Sequence, residues 1–214
     1  VEAETVLNKL DQDKDLVKEH LPNAIALYQK DWHQGVIGIV AGRLKEKFHR
    51  PSIVFAKAND DLVPSPNDEI KGSARSIPGF DIRDLLEDIS TLHPGLIIKF
   101  GGHAMAAGLS IRLGDFDTFQ TVFNTLAGQW LKEEDLTGII LSDGDLPANE
   151  MTLQFAEQLR QSGPWGQNFD EPLFDDDFTL IQQRIVGEKH LKVVVEKAEQ
   201  VFDGIAFNID IKQW

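Results

Sequence analysis

The stretch Gly101-Gly102-His103-Ala104-Met105-Ala106-Ala107-Gly108 is the most informative part of this 214-residue sequence. Its glycine pair leaves backbone N–H groups bare beside a histidine, and the small residues that follow allow close packing. Bare N–H donors and an imidazole ring that can donate a hydrogen bond suit the binding of a phosphate group. The same residues also fit a tight turn with one exposed histidine, and the motif alone does not separate the two interpretations.

The sequence on either side of this stretch predicts a mixed α/β domain. Apolar runs at residues 96–100 and 109–113 predict strands before and after the glycine pair, which would turn the chain between them. The remaining elements are predicted as strands at residues 24–28, 52–56 and 70–76 and as helices at residues 33–48, 81–89 and 116–131. We expect Asp31 to cap the first of these helices and the strand at 70–76 to be edge-like. Strands that alternate with helices are typical of an α/β fold.

A second, mainly β region is predicted after a boundary at residues 134–138. A strand at 139–141 and a helix at 149–161 lead into a Gly/Pro/Trp-rich loop at 162–172. Three alternating segments follow at residues 178–186, 191–195 and 204–211. Short strands separated by turn residues predict a small antiparallel barrel or sheet.

The composition describes a globular protein and excludes several classes. Apolar residues make up 42% and charged residues 26% of the chain, and no apolar run approaches the ~20 residues of a membrane span. The absence of cysteine excludes disulfides and cysteine-based zinc sites, and suits a reducing cytosol. The first residues lack a signal-peptide pattern, and we interpret the amphipathic segment at 1–20 as a helix that connects from a preceding domain.

The charge is strongly negative but unevenly distributed. A formal net charge of −14 argues against a generic nucleic-acid-coating surface, because such binding needs lysine and arginine. Residues 139–178 hold nine acids against one base, whereas residues 42–57 hold five bases against one acid. Local basic strips of this kind can hold an anion in a defined cleft, or can be solvated helix faces.

Further motifs occur in a fixed order along the chain. They are WHQGVIGIVA at 32–41, KGSARS at 71–76, the glycine–histidine stretch, GPWG at 163–166 with EPLF at 171–174, VGEKHLK at 186–192 and GIAFN at 204–208. In this order they resemble the C-terminal half of the RecJ family of bacterial single-strand-specific exonucleases, within the DHH phosphoesterase superfamily. The glycine–histidine stretch alone would indicate only the accessory domain of that superfamily, and the later motifs narrow the resemblance to RecJ.

The resemblance implies an architecture and an activity. Residues 21–136 would form a DHHA1-like substrate-binding domain, and residues 138–214 an incomplete OB-fold-like domain that binds single strands. The family hydrolyses single-stranded DNA from its 5′ end in repair and recombination, with Mn²⁺ or Mg²⁺, in the bacterial cytoplasm. Its metal-binding aspartates and Asp-His-His triplet lie in a separate domain, so we expect no metal site here and no nuclease activity of this chain alone. Single-stranded DNA and other repair proteins are the implied partners, and a membrane is not.

Arg75 is the strongest candidate for a phosphate contact. Strand alternation puts the Ser73 hydroxyl and the Arg75 guanidinium on one face, and a planar guanidinium can bind two phosphate oxygens. The alternative is a surface arginine paired with one of the many carboxylates. The resemblance implicates this segment in holding the 5′ end.

One role is implied for His103, whereas two alternatives are open for His33. The resemblance implies that His103, with the amides of Gly101 and Gly102, holds the scissile or a neighbouring phosphate and stabilises the negative charge that develops there, a catalytic role. His33 either points into the cleft from a helix start, where the dipole favours anions, or is a capping or core histidine.

The second region offers candidates for single-strand binding. An OB-like barrel binds single strands by stacking bases on aromatic rings over a basic groove. Charge would come from Arg184, Lys189, His190 and Lys192, and stacking from Trp165 and Phe207. Trp165 fits equally well as a packing anchor, and the acidic run at 175–177 fits a solvated segment better than a metal site.

Two other functions stay open at this point. One is a phosphodiesterase for short oligonucleotides or cyclic dinucleotides, against which the second region counts because a small substrate needs no single-strand groove. The other is a non-catalytic pair of domains that binds proteins through the acidic stretch at 139–178. Phosphate binding weakens steeply with salt, whereas an apolar protein interface does not.

Overall fold

The computed structural model describes residues 21–58, 65–166 and 169–209. The chain divides into two compact units, Val1–Gly138 and Ile139–Trp214. The helix predicted at residues 1–20 lies outside the described residues. Within them, no helix combines the length and apolar character needed to cross a bilayer.

Five strands of the first unit form one mixed sheet. The unit holds, in chain order, β1 (Ile25–Tyr28), α1 (Gln34–Phe48), β2 (Ser52–Lys57), β3 (Glu69–Arg75), α2 (Ile82–Leu92), β4 (Lys99–His103), β5 (Ala106–Arg112) and α3 (Phe116–Trp130), with short 3-10 turns at Leu113–Asp115 and Glu133–Leu136. The strands lie in the order β1-β2-β3-β5-β4. β1 and β2, which α1 connects, run parallel, and the other neighbours run antiparallel. This confirms the mixed α/β architecture expected from the sequence.

Helices pack on both faces of this sheet. α2 and α3 lie against one face, where Phe55 and Phe119 are fully buried. α1 lies against the other face and buries Val40 and Leu44 against Val54 of β2. The first face holds the larger core, because two helices pack on it and one helix packs on the other face. α1 reaches β2 and β3 on its own side, and this places its first turns next to the polar residues of β3.

The strand β3 is central in the sheet, so the edge-like position expected for it is wrong. Its residues alternate strictly: Ile70, Gly72 and Ala74 are buried, and the polar residues between them are half-buried. A Cβ atom on Gly72 would lie 2.6 Å from Cε1 of Phe55, so the neighbouring strand leaves no room for a side chain there. The polar face of this segment favoured an edge strand. A central strand can also have one polar face where its side of the sheet is only partly covered, and this is the case for β3.

The N-cap of α1 is His33, so the expected cap at Asp31 is wrong. Nδ1 of His33 accepts a hydrogen bond from the backbone N–H of Gly35 at 3.0 Å. Asp31 lies two residues too early to reach the first free N–H groups of the helix. A histidine is an unusual cap, and the residue-type preference for Asp therefore selected the wrong cap, although the helix predicted at 33–48 begins within one residue of the observed start.

The glycine pair lies inside β4, so the turn expected at these glycines is misplaced. β4 continues to His103, and residues 104–105 make the turn into β5. Gly102 has φ +148, and a Cβ atom there would lie 2.5 Å from the carbonyl oxygen of Ala106. Gly102 therefore serves the fold, since the strand can pass this point only without a side chain.

The second unit is built around a three-stranded antiparallel sheet. It holds a 3-10 turn (Ala148–Glu150), α4 (Leu153–Ser162), β6 (Thr179–Val186), β7 (His190–Lys197) and β8 (Gln200–Ala206), with strand order β6-β7-β8. This confirms the mainly β, OB-like region, and the described residues form no closed barrel. The strand predicted at 139–141 is wrong: Ile139, Ile140 and Leu141 are 75–80% exposed and join no strand of the described sheets. An apolar, β-branched run forms a strand only where it finds a partner.

Candidate nucleic-acid interface

Cross-strand register places four candidates of the first unit in rows on the α1 side of its sheet, whereas Gly102 lies opposite Ala107 on the other face. Residues that lie directly opposite each other share a face. Arg75 of β3 lies opposite Ala106 of β5, which in turn lies opposite His103 of β4. Two strand spacings therefore separate Arg75 from His103, roughly 10 Å between their Cα atoms. In the next row, the corresponding residues are Ser73, Gly108 and Gly101.

Arg75 is held in place by groups of its own strand. Its Nη1 donates to the Ser73 hydroxyl oxygen at 3.1 Å and to the Ala74 carbonyl at 2.8 Å. Among the described residues, no carboxylate lies within ion-pair distance of this guanidinium. This is notable in a chain of net charge −14. The surface ion pair considered from the sequence is therefore not what these residues form.

A glycine in α1 makes room for this arginine. A Cβ atom on Gly38 would lie 3.0 Å from Nη2 of Arg75 and 3.2 Å from the Ser73 hydroxyl oxygen. Without that Cβ, the guanidinium lies directly against the helix. Gly38 is not among the residues predicted from the sequence, and the signal for it is a glycine inside a helical pattern, which lowers helix propensity and can be kept for packing.

A hollow opens between α1 and β3 at this contact. Its volume is about 470 Å³. Its lining consists of Gln34, Gly35, Ile37, Gly38 and Ile39 from α1 and Lys71, Ser73 and Arg75 from β3. The β3 side of the hollow is cationic and offers hydrogen-bonding groups, and the exposed side chain of Ile39 forms an apolar edge on the α1 side. Such a site is suited to an anionic group that carries an organic substituent.

Next to the hollow, the sheet has a strip without side chains. Gly101 and Gly108 lie opposite each other and are exposed. A Cβ atom on Gly101 would meet nothing within 4 Å, and one on Gly108 would meet only the Gly72 carbonyl oxygen at 3.9 Å. Neither has a positive φ, so neither packing nor backbone conformation requires these glycines. A strand glycine of this kind often marks the close approach of a ligand or another backbone.

The two histidines lie in different settings. His103 is exposed at the end of β4, in the row that ends at Arg75. His33 caps α1 with its Nδ1, so the capping role, one of the two alternatives, is the one the structure shows. Because Nδ1 accepts that bond, the ring in its neutral form carries its proton on Nε2. His33 is exposed but does not line the hollow.

The second unit brings three of its predicted residues onto one face of its sheet. Arg184 of β6 lies opposite Lys192 of β7, and His190 lies two residues along β7 on the same face. A hollow of about 220 Å³ lies here, and Asp203 pairs with Lys192 across it at 3.4 Å. Lys189 lies in the turn before β7.

The two aromatic candidates, Phe207 and Trp165, make different contacts. The Phe207 ring packs edge-on to His190 with centroids 5.2 Å apart, which places it beside the cationic face. The Trp165 indole N–H donates to the Leu159 carbonyl of α4 at 3.0 Å, and the ring stacks on Phe169 at 4.9 Å. Trp165 is thus anchored within its own unit.

The described residues offer no set of metal ligands. They contain no group of three or more histidine and carboxylate side chains that could hold a metal ion. In the acidic run, Asp176 pairs with Lys197 and Asp175 accepts from the Ser142 hydroxyl. The Lys197 ammonium holds the pKa of Asp176 below its usual range.

Two family models cover most of the chain. A model of the DHHA1 domain matches residues 21–129, which contain the hollow, the glycine strip and His103. The chain belongs to the DHHA1 family. A model of the RecJ OB domain matches residues 142–214, which contain the three-stranded sheet. These matches confirm the resemblance found in the sequence motifs.

The relatives of this DHHA1 protein are longer chains that match it over their own partial length. It is 50% identical to the single-stranded-DNA-specific exonuclease RecJ of Escherichia coli (strain K12) over 216 residues, which cover 100% of this chain and 36% of that protein. The corresponding protein of Dickeya dadantii (strain 3937) is 51% identical with the same coverage. The crystal structure of RecJ in complex with Mn²⁺ from Thermus thermophilus matches with a TM-score of 0.67 and 26% identity, over 90% of this chain and 26% of that one. The chain therefore spans 36% of the length of the first two relatives.

Proposed function

We propose that this chain is the substrate-gripping part of a single-stranded-DNA-specific 5′→3′ exonuclease. One observation carries the proposal. In a strongly acidic chain, Arg75 is fixed next to the Ser73 hydroxyl with no carboxylate partner among the described residues, and it borders a strip of sheet without side chains. The high identity to RecJ exonucleases along the whole chain supports the same function.

In this proposal Ser73 and Arg75 bind the 5′-terminal phosphate. The Ser73 oxygen accepts from Arg75, so its own O–H remains available to donate to a phosphate oxygen. The guanidinium supplies further N–H donors in a fixed plane, and charge-assisted bonds of this kind are strong.

His103 and the glycine strip would hold the phosphate at which the strand is cut. The bare backbone at Gly101 lets the sugar–phosphate chain approach the sheet, and the exposed imidazole can donate an N–H to a phosphoryl oxygen. A donor at that position stabilises the negative charge that builds up during hydrolysis. We assign the Mn²⁺ or Mg²⁺ that activates water to another domain, because the described residues do not fit a metal.

The second unit would bind the strand further along. Its open sheet face combines the charges of Arg184 and Lys192 with the rings of His190 and Phe207. Stacking on rings above a cationic groove is the usual way in which OB-type domains bind single strands. We place the whole protein in the bacterial cytoplasm, in DNA repair and recombination, where it would meet other repair proteins.

Fluorescence anisotropy with a short single-stranded oligonucleotide tests the proposal. We expect this chain to bind a 5′-phosphorylated strand more tightly than its 5′-hydroxyl counterpart. Arg75→Ala should remove that preference, with a loss of roughly 10- to 150-fold for the phosphorylated strand if 1.5–3 kcal/mol of charged hydrogen bonding is lost. Arg83→Ala is the matched control, because Arg83 pairs with Asp84 and Glu87 on α2, on the opposite face of the sheet. Equal binding of both strands by the unmodified chain would contradict the proposed function.

A further inference from the structure

The smaller hollow, in the second unit, combines polar side chains of both signs around an aliphatic residue. Its volume is about 220 Å³, and it is lined by Gln182, Arg184, Lys192, Val194 and Asp203. Val194 of β7 lies opposite Gln182 of β6 on one side and Asp203 of β8 on the other. Residues directly opposite each other share a face, so the amide and the carboxylate flank Val194. The smaller hollow is below the size of sites that enclose a whole organic ligand, and it suits a single ring system.

Asp203 does not fit a groove that binds phosphates alone. Its carboxylate is exposed and lies 3.4 Å from the ammonium group of Lys192, so it offsets part of the positive charge of this face. A carboxylate also repels the phosphates of a bound strand. An ionised carboxylate only accepts hydrogen bonds, and its two oxygens have more acceptor sites than one ion pair uses. Asp203 is therefore suited to the part of a strand that offers N–H donors, which is a base.

Guanine is the base whose edge matches a carboxylate best. Its Watson–Crick edge presents two neighbouring N–H donors, on N1 and on the exocyclic N2, beside the O6 acceptor. Adenine, cytosine and thymine present one donor group each on that edge, so they cannot form the same paired hydrogen bonds with one carboxylate. In the adjacent row of the sheet, Arg184 lies opposite Lys192, and a cation there can donate to O6.

We infer that Asp203 accepts the N1–H and N2–H of a guanine base that lies on Val194, and that the smaller hollow gives the second unit a preference for guanine. This inference rests on the proposed function, since it needs a single strand bound along this face. It assigns the smaller hollow to a base and leaves the phosphates of the strand to the cations around it. The half-buried side chain of Val194 would supply the apolar surface under the ring.

Strands that differ in one edge of one base test this assignment by fluorescence anisotropy. The probes are a 5′-phosphorylated oligothymidylate with isolated guanines, the same strand with hypoxanthine in place of guanine, and the same strand with 7-deazaguanine. Hypoxanthine lacks the N2 amino group, whereas 7-deazaguanine keeps both N–H donors and is changed on the other side of the ring. All three strands carry the same phosphates, so the salt-dependent part of binding cancels in the comparison.

The proteins are the unmodified chain, Asp203→Asn and Asp145→Asn. Asp145→Asn is the matched control, because it removes the same charge from the second unit. Asp145 precedes Leu146, whose carbonyl oxygen accepts a hydrogen bond from Lys197 of β7. Lys197 lies an odd number of residues from Lys192 along β7, so it belongs to the opposite face of the sheet. Thermal melts confirm that all three proteins are folded.

We expect the unmodified chain and Asp145→Asn to bind the guanine and 7-deazaguanine strands roughly 3- to 10-fold more tightly than the hypoxanthine strand, as for one hydrogen bond at an exposed site. Asp203→Asn should bind the guanine and hypoxanthine strands alike. Equal binding of these two strands by the unmodified chain would overturn the inference. A guanine preference that Asp203→Asn keeps, with a uniform rise in affinity, would also overturn it and leave Asp203 as a partner of Lys192 alone.

Strands with a 5′-hydroxyl end, measured in the same experiment, separate this inference from the proposed function. A preference for the 5′-phosphorylated strand without a preference for guanine would overturn the inference and leave the proposed function standing. Equal binding of the two ends by the unmodified chain would contradict the proposed function, and the absence of any binding would overturn both.

Discussion

Replacement of Gly38 by alanine tests whether the position of Arg75 against α1 matters for binding. The new Cβ would lie 3.0 Å from Nη2 of Arg75 and 3.2 Å from the Ser73 hydroxyl oxygen, closer than ordinary contact. One of the two polar groups must then shift by a few tenths of an ångström or turn away. Because hydrogen bonds weaken steeply with poor geometry, we expect the loss of at least one charged bond to the terminal phosphate. That loss, about 1.5–3 kcal/mol, corresponds to roughly 10- to 150-fold weaker binding of a 5′-phosphorylated strand.

Gly42→Ala is the matched control for this variant. Gly42 lies one turn further along α1, and a Cβ atom there would meet nothing within 4 Å. Both changes replace a helical glycine with alanine and gain about 1 kcal/mol of helix propensity. We therefore expect Gly42→Ala to raise the melting temperature by a few degrees and leave binding unchanged.

Anisotropy with phosphorylated and 5′-hydroxyl strands, together with thermal melts, separates the two variants. Gly38→Ala should stay folded, lose affinity for the phosphorylated strand and keep its affinity for the hydroxyl strand. If Gly38→Ala binds both strands as Gly42→Ala does, the guanidinium does not act from the position seen here. That result would refute the reasoning about the hollow, whatever the stability of the variant.

Three further predictions concern the glycine pair, the hydrogen bonds of Arg50 and the ion pair between Asp176 and Lys197. Gly102→Ala should lower the free energy of unfolding in urea, because its Cβ would meet a carbonyl oxygen at 2.5 Å. Gly101→Ala should leave the free energy of unfolding unchanged and weaken the binding of single-stranded DNA. Arg50→Met should cost about 1–3 kcal/mol in urea unfolding, because its guanidinium donates to four carbonyl oxygens between residues 22 and 136; unchanged stability would contradict this. Since Lys197 lowers the pKa of Asp176 in the folded state, this pair should stabilise above about pH 4 and stop doing so as the pH falls through that lowered pKa. Asp176→Asn should remove that part of the pH dependence of the melting temperature.

The sequence predicted most elements of the first unit because their apolar periods are clear. The helix at Ile82–Leu92, for example, carries a regular buried stripe that includes Leu85, Leu86 and Ile89. The placement of β3 was wrong for a physical reason. Local alternation shows which residues of a strand share a face, but not how many strands lie on either side of it, because pairing is decided by distant residues.

The candidate site could be predicted in its chemistry but not in its geometry. Alternation alone put Ser73 and Arg75 on one face, and the contact between them is present at 3.1 Å. The role of Gly38 depends on how closely α1 approaches β3, which is a property of tertiary packing. The sequence also does not distinguish the roles of the two glycines of the pair. The backbone conformation and the space around each Cα show that the strand requires a glycine at Gly102 and not at Gly101.

The negative charge of the chain and its proposed ligand are compatible because the guanidinium of Arg75 is not paired with a carboxylate of the described residues. On the open side of the first sheet, Lys99 is paired with Glu69, whereas Arg75 has no carboxylate partner among the described residues. An anion that enters the hollow therefore meets uncompensated charge within a surface that is otherwise repulsive to polyanions. A duplex would have to lay many phosphates against that acidic surface, while a single strand can thread one end into the hollow. The same net charge that argued against a nucleic-acid-coating surface thus favours the selective binding of strand ends.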